Sequence, residues 1–300
     1  MDLAELLDIL AVRPAVDDGP AGASGNGSPS TATRPAFEGM SPKGRARSIF
    51  GGQFLGQGLM AAGATVEPDR PPHSLHAYFI RSGDPFQPIR YEVDLVRDGR
   101  SFSHRQVVAA QDGKEVFRML ASFHRATVGP SHDDPTPVGD VDPASLVTYE
   151  DWAETGTDNP AHDVYTDPAP IELRYEDPPP TGPGQRVRGP QRIWARVAGP
   201  VADDSPLLHA ALLAWLSDKT IADFSTLAHG RRWTDHGTDS ISLDHAMWFL
   251  RPLRADDWLL YRQGAPSSDG GRAFTRGEFV GRDGIRLATV AQEVLLTLPG

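Results

Sequence analysis

Three short stretches of this chain recur in the same order, and that recurrence limits the fold more than any other feature. His76-Ala77 returns as His245-Ala246, Gly99-Arg100-Ser101-Phe102 as Gly271-Arg272-Ala273-Phe274, and Asp112-Gly113 as Asp283-Gly284, at separations of 169, 172 and 171 residues. Chance matches scatter more widely, so separations this similar indicate a duplicated unit. The two copies read alike. In the first, Leu55, Leu59, Ala62 and Val66 fall at helical spacing over 51–66, and strand-like runs follow at 73–80, 89–96, 101–110 and 114–124. In the second, a strand at 191–197 precedes a helix at 206–223 and strands at 240–250, 258–263, 273–280 and 285–298. Asp98-Gly99 and Asp112-Gly113 sit where tight hairpin turns belong. A helix followed by an antiparallel meander is an α+β pattern in which the helix buries itself on one sheet face. The first helix carries Gly56, Gly58, Ala61, Gly63 and Ala64, so close wrapping by other structure must stabilise it.

The remaining segments lack such periods. Residues 3–13 read as one short amphipathic helix. The stretch 17–35 is almost wholly Gly, Ser, Ala, Thr, Pro and Asp, which cannot offset its ordering entropy, and it reads as a mobile loop. Residues 126–190, with Pro178-Pro179-Pro180, read as the connection between the copies. The expected division is an N-terminal helix and loop at 1–35, a first domain at 36–125, a linker at 126–190 and a second domain at 191–300.

Composition narrows the function. The net charge of −11, from 29 basic and 40 acidic residues, repels nucleic acid and anionic membranes. Cysteine is absent, which excludes disulfides, thiolate metal sites and a cysteine nucleophile. No basic segment precedes an apolar run at the N-terminus, and nowhere do about 18 apolar residues follow one another. A cytoplasmic protein with no nucleic-acid and no membrane partner is expected.

Two polar residues interrupt apolar faces. On the second helix Leu208, Ala211, Trp215 and Ala222 form a stripe, and Asp218 falls within it. A buried carboxylate costs several kcal/mol unless paired or neutralised, so it needs a partner in the first half, a turn at the helix end, or a chemical role. On the last strand Ala288, Val290, Gln292, Val294 and Leu296 share a face, and Gln292 alone is polar; it is either a core amide bonded to backbone or a site residue. Ser242, near a strand start, attracts no attention by itself. No Gly-x-Ser-x-Gly elbow is present. His73 and His76 are three apart on a strand and face opposite sides, which argues against a metal pair. The glycines at 51–58 form neither a dinucleotide nor a P-loop fingerprint.

Longer motifs carry a family likeness. Phe50-Gly51-Gly52-Gln53-x-x-Gly56-Gln57, His73-Ser74-x-His76-x-Tyr78-Phe79-x-Arg81-x-Gly83-Asp84 and Arg97-Asp98-Gly99-x-Ser101-Phe102, then Leu216-Ser217-Asp218, Asp244-His245-x-Met247-Trp248-Phe249-x-Arg251-Pro252, Gly277-Glu278-Phe279 and Gln292-Glu293, resemble the TesB-type, or type II, acyl-CoA thioesterases over residues 36–296. The resemblance implies a double hotdog, two helix-wrapped antiparallel sheets in one chain, acting on fatty acyl-CoA without metal or organic cofactor. It implies that Asp218, Ser242 and Gln292 hold the nucleophilic water, with Ser242 identified by the resemblance alone. Asp218 would be the base, and backbone N–H groups at a helix N-terminus would polarise the thioester carbonyl. His73 is expected opposite Ser242 and Ala121 opposite Gln292 in the first half, leaving one working centre per chain. Residues 17–35 look like an insertion, Ser82 stands where proline is common, and Ser242 replaces the commoner threonine. Arg97, Arg100, Arg105, Arg251, Arg254 and Arg272 are candidates for the CoA phosphates. A homo-oligomer is expected. The rival readings are an acyl-CoA-binding regulatory or structural protein without chemistry and an enoyl-CoA hydratase, which would need an Asp/His pair on a catalytic loop.

Overall fold

A computed structural model describes residues 1–15, 34–42, 48–154, 170–180, 184–233 and 235–299; the stretch 17–35, expected to be a loop, lies almost wholly outside them. Helix α1 (Leu3–Leu10) starts at Asp2, whose carboxylate accepts the Glu5 N–H at 2.9 Å, and it buries Leu6, Ile9 and Leu10. Two short strands follow, β1 (Arg13–Pro14) and β2 (Ala36–Gly39). The first repeat comprises α2 (Gly51–Gly63), β3 (Pro72–Phe79), β4 (Ile89–Asp98), β5 (Phe102–Gln111) and β6 (Lys114–His124). Strands β5 and β6 join at Asp112 and Gly113, with φ of 48° and 71°, the left-handed pair that a two-residue hairpin requires.

Residues 126–190, which show no period, still contribute β7 (Val147–Thr148), α3 (Tyr149–Glu154) and β8 (Ile171–Tyr175). Strand β8 buries Ile171, Leu173 and Tyr175, but five residues before a run of prolines are too few for the alternation to stand out. The second repeat is β9 (Gln191–Val197), α4 (Pro206–Ser217), α5 (Asp223–Leu227), β10 (Asp239–Ser242), β11 (Asp244–Phe249), β12 (Leu259–Asp269), β13 (Arg272–Val280) and β14 (Arg286–Thr297).

All the strands join one antiparallel sheet in the order β1-β2-β4-β5-β6-β3-β11-β14-β13-β12-β9-β8-β7, with β10 also paired to β14. From the β3–β11 seam the topology reads the same in both directions, so the duplication seen in the sequence is also a duplication of strand order. Helices α2 and α4 lie against each other and are buried on nearly every side. Their approach depends on Gly52, where a Cβ would stand 2.3 Å from Trp215 O. Among the described residues no helix is long and apolar enough to cross a membrane.

Two expected elements are revised. The helix expected over 206–223 ends at Ser217 with Asp218 as its C-cap, and a turn separates it from α5. The strand expected over 240–250 is interrupted at Leu243, because Ser242 pairs with Val294 while Ala246 pairs with Ala291. Leu243 and Asp244 thus share the place opposite Glu293, a β-bulge in which the Asp244 side chain accepts the Glu293 N–H at 2.7 Å. The outer faces of the two halves also differ. Residues 133–146 strap the second half, with Asp133 paired to Arg286 and with Val138 and Leu146 packed on Trp194, Leu260 and Val280. Near the seam Tyr78, Leu120 and Trp248 are exposed.

Candidate active site

The bulge at 243–244 builds the site. Three residues along a regular strand point to opposite faces, but the extra residue turns Ser242 and His245 to the same inner side. There they meet Gln292 of β14 and the C-cap of α4. The Asp218 carboxyl lies 3.4 Å from Ser242 Oγ, and Gln292 Nε2 lies 2.8 Å from the same hydroxyl. Gln292 Oε1 is 2.5 Å from His245 Nδ1, and His245 Nε2 is 3.0 Å from Ser217 Oγ. The structure thus brings together all three residues singled out in the sequence.

Donor direction along this chain follows from chemistry. Gln292 donates from Nε2 to Ser242, so its Oε1 accepts and the proton of neutral His245 sits on Nδ1. Burial holds the His245 pKa down, to about 4, which keeps the ring neutral. Each donor then points toward Asp218: His245 to Gln292, Gln292 to Ser242, and Ser242 to the carboxylate. Such a chain polarises cooperatively toward the charge at its end. Asp218 also accepts from Gln292 and from the Gly52 N–H at the start of α2. Even so, burial dominates and raises its pKa to about 7, the hydrogen bonds opposing the shift. A carboxyl with that pKa is half ionised near neutrality and is a stronger proton acceptor than an exposed aspartate.

Both halves contribute. The N-terminal turn of α2 comes from the first repeat, and its N-cap, Phe50, makes no side-chain capping bond. A Cβ at Gly51 would stand 2.6 Å from Asp218 Oδ2, so glycine lets this helix end reach the carboxyl. The site is stiffened from behind by Thr275 Oγ1 donating to Gln292 O (3.0 Å) and by Tyr261 OH donating to Ser217 O (2.8 Å). A second buried acid, Asp223, follows α4 and accepts from Tyr149 OH at 2.9 Å; burial raises its pKa to about 7 also.

His245, Ser217 and Asp223 are not among the site residues expected from the sequence, although the first two stand within the longer motifs. His245 was within reach: it alternates with Met247 and Phe249 on the inner face of β11, the same sign of a polar residue among apolar ones that exposes Gln292. The register also revises the expected counterparts in the first half. Pro72 pairs with Phe123 as Ser242 pairs with Val294, and Leu75 lies opposite Ala121 as His245 adjoins Gln292. Pro72, rather than His73, therefore occupies the place of Ser242, while Ala121 keeps the place of Gln292. The match of His76 with His245 is not a structural one, since His76 faces outward and His245 inward.

Four of the six candidate arginines hold carboxylates. Arg105 pairs with Asp98, Arg251 with Asp133, Arg254 with Asp204 and Asp256, and Arg272 with Glu293. Among the described residues Arg97 and Arg100 form no ion pair.

Comparison with known proteins agrees with this architecture. A family model described as acyl-CoA thioesterase matches residues 167–295, and one described as acyl-CoA thioesterase N-terminal domain matches residues 41–124. Human acyl-coenzyme A thioesterase 8 is 34% identical over 257 residues, covering 83% of this chain and 80% of that protein. Acyl-CoA thioesterase 2 of Haemophilus influenzae is 30% identical, covering 87% and 91%. The crystal structure of the acyl-CoA thioesterase II TesB2 from Mycobacterium marinum is similar with a TM-score of 0.68 and 37% identity, over 88% of this chain and 92% of that one. A hot dog fold protein from Alicyclobacillus acidocaldarius matches with a TM-score of 0.71 over the full length of both chains at 21% identity, a likeness of fold alone.

Proposed function

The chain belongs to the acyl-CoA thioesterase family and is an acyl-CoA thioester hydrolase, and on that premise we propose that Asp218, Ser242 and Gln292 hold the water that hydrolyses a fatty acyl-CoA. The two helix-and-sheet repeats are then two hotdog modules, 36–125 and 191–300, with the centre in the second. The observation that carries the reading is the convergence on a buried Asp218 carboxyl of a hydroxyl and an amide from separate strands, within 3.4 Å and 2.8 Å of one another.

In this reaction the water takes the place of Asp218 as acceptor for the Ser242 hydroxyl and for one Gln292 N–H, and donates to Asp218, which takes its proton as the oxygen attacks the thioester carbon. The carbonyl oxygen gains negative charge in the tetrahedral intermediate. The N-terminal turn of α2, whose Gly51 backbone abuts the Asp218 carboxyl and whose N-cap makes no side-chain bond, is the nearest source of helix-end positive charge to stabilise that oxygen. Collapse expels the CoA thiolate, a good leaving group that needs no strong general acid. His245 and Ser217 touch no reacting atom and orient the Gln292 amide. The exposed Tyr78, Leu120 and Trp248 supply an apolar surface for a second copy of the chain, consistent with a homo-oligomer.

Asp218→Asn tests the assignment, because asparagine keeps the shape and cannot accept the proton. Its release of free CoA, followed with a thiol reagent, is expected to fall at least about a hundredfold while CoA still binds. A rate near that of the unsubstituted protein removes Asp218 from the mechanism.

A further inference from the structure

The site at Asp218 accounts for the thioester end of the substrate and leaves its charged end unplaced. A cleft of about 370 Å³ opens against α5. One wall is Ala265 and Pro266, where the β12–β13 ladder slips between Gly264 and Ser267; a second is Phe224 and Ala228; a third carries Arg186 and Arg188. The arginine segment is tied to the end of α5 by Gly184 N–H to Gly230 O and Val187 N–H to Leu227 O, both 3.0 Å, which brings Arg231 alongside. Arg186 and Arg188 are exposed, and among the described residues none of the three arginines is paired with a carboxylate. In a chain of net charge −11 this is a local reversal of sign.

Its position also fits. Gln292 pairs with Thr275 across β13–β14, and the Ala265–Pro266 bulge faces the same part of β13 from the other side. The cleft wall is therefore two strand spacings, about 10 Å, from Gln292. The pantetheine arm of CoA, from sulfur to the first phosphorus, is about as long as four extended residues, roughly 15 Å. An apolar floor under a rim of guanidinium groups suits a purine whose phosphates take charge-assisted hydrogen bonds.

We infer that the cleft between Arg186, Arg188 and the Ala265–Pro266 bulge binds the phosphorylated nucleotide end of the CoA thioester. The identity of the ligand rests on the thioesterase reading; the role of the cleft does not depend on which residue is the base.

The double variant Arg186→Glu/Arg188→Glu, which alters only exposed side chains, is assayed with an acyl-CoA and with the matching acyl-pantetheine, the same thioester without its phosphates. KM for acyl-CoA is expected to rise about tenfold at unchanged kcat, and KM for acyl-pantetheine to stay within about twofold. Arg186→Lys/Arg188→Lys should keep KM for acyl-CoA within about threefold. An unchanged KM for acyl-CoA, or an equal rise for both substrates, overturns the inference. Equilibrium titration with free CoA and with pantetheine needs no turnover and separates this question from the reaction itself. CoA must bind the Glu/Glu variant about tenfold more weakly and pantetheine equally well; equal CoA binding to both proteins contradicts the cleft, whatever the fate of Asp218.

Discussion

Two inward-facing rows occupy matching places on either side of the β3–β11 seam, and their chemistry diverges. In the second half the row is His245, Gln292 and Thr275; in the first it is Leu75, Ala121 and Arg105. The scaffold around them is shared. Each half has a bulge just before the row, and each has a buried tyrosine bonded to a central helix, Tyr91 to Gln57 and Tyr261 to Ser217. The helix ends differ as the rows do, for α2 is capped by Ala64 and α4 by Asp218. In the first half Arg105 fills the space, donating to Thr65 Oγ1 (2.8 Å) and Thr65 O (2.9 Å) and pairing with Asp98 at 2.8 Å. That cation is consumed by its neighbours, whereas the Asp218 carboxyl is buried beside a donor chain, and burial outweighs the opposing charge of neighbouring Lys219, which keeps its proton affinity high. One fold thus closes a cavity in one copy and poises an acid in the other through a handful of side chains.

Exchanging residues between the rows sharpens this contrast. Gln292→Ala installs the first-half residue in the second half, removing a donor to Ser242 and the acceptor for His245, and should lower kcat about a hundredfold with the fold retained. A loss of less than about threefold in the same CoA-release assay makes Gln292 a core amide and breaks the distinction. Arg105→Ala does the opposite. It should leave kcat within about twofold while costing about 2–4 kcal/mol in urea unfolding, because it strands Thr65 and opens a cavity. A large fall in turnover without loss of stability gives the Arg105 row a chemical role.

Much of this organisation is legible in the sequence, and the gaps have physical causes. Asp218 and Gln292 stand out because burial of polar groups is costly, so an acid or amide on an apolar face asks for a reason. Ser242 does not stand out, since its inward direction comes from a bulge that depends on Asp244 bonding the Glu293 N–H across the ladder. The end of α4 at Ser217 is equally hidden: no proline or glycine follows, and the Ser217 hydroxyl and the Asp218 cap stop a helix whose residues are otherwise good formers. Counting along the chain makes His73 the partner of Ser242, but the extra residue in β3 moves Pro72 there. Arginines looked alike in one dimension; only their neighbours separate those bound to acids, such as Arg254, from those free to meet a phosphate.

The central claim is that turnover requires one buried carboxyl to be ionised. Burial raises Asp218 to about 7 against the opposition of Gln292, Gly52, Ser242 and nearby Lys219, so the base form grows as pH rises through that value. The most direct measurement is kcat/KM for acyl-CoA hydrolysis against pH, across about two units on either side of neutrality. The account predicts a rate that climbs with pH on a single acid limb with an apparent pKa near 7 and then levels. A profile that is flat over this range, or that falls as pH rises, contradicts it.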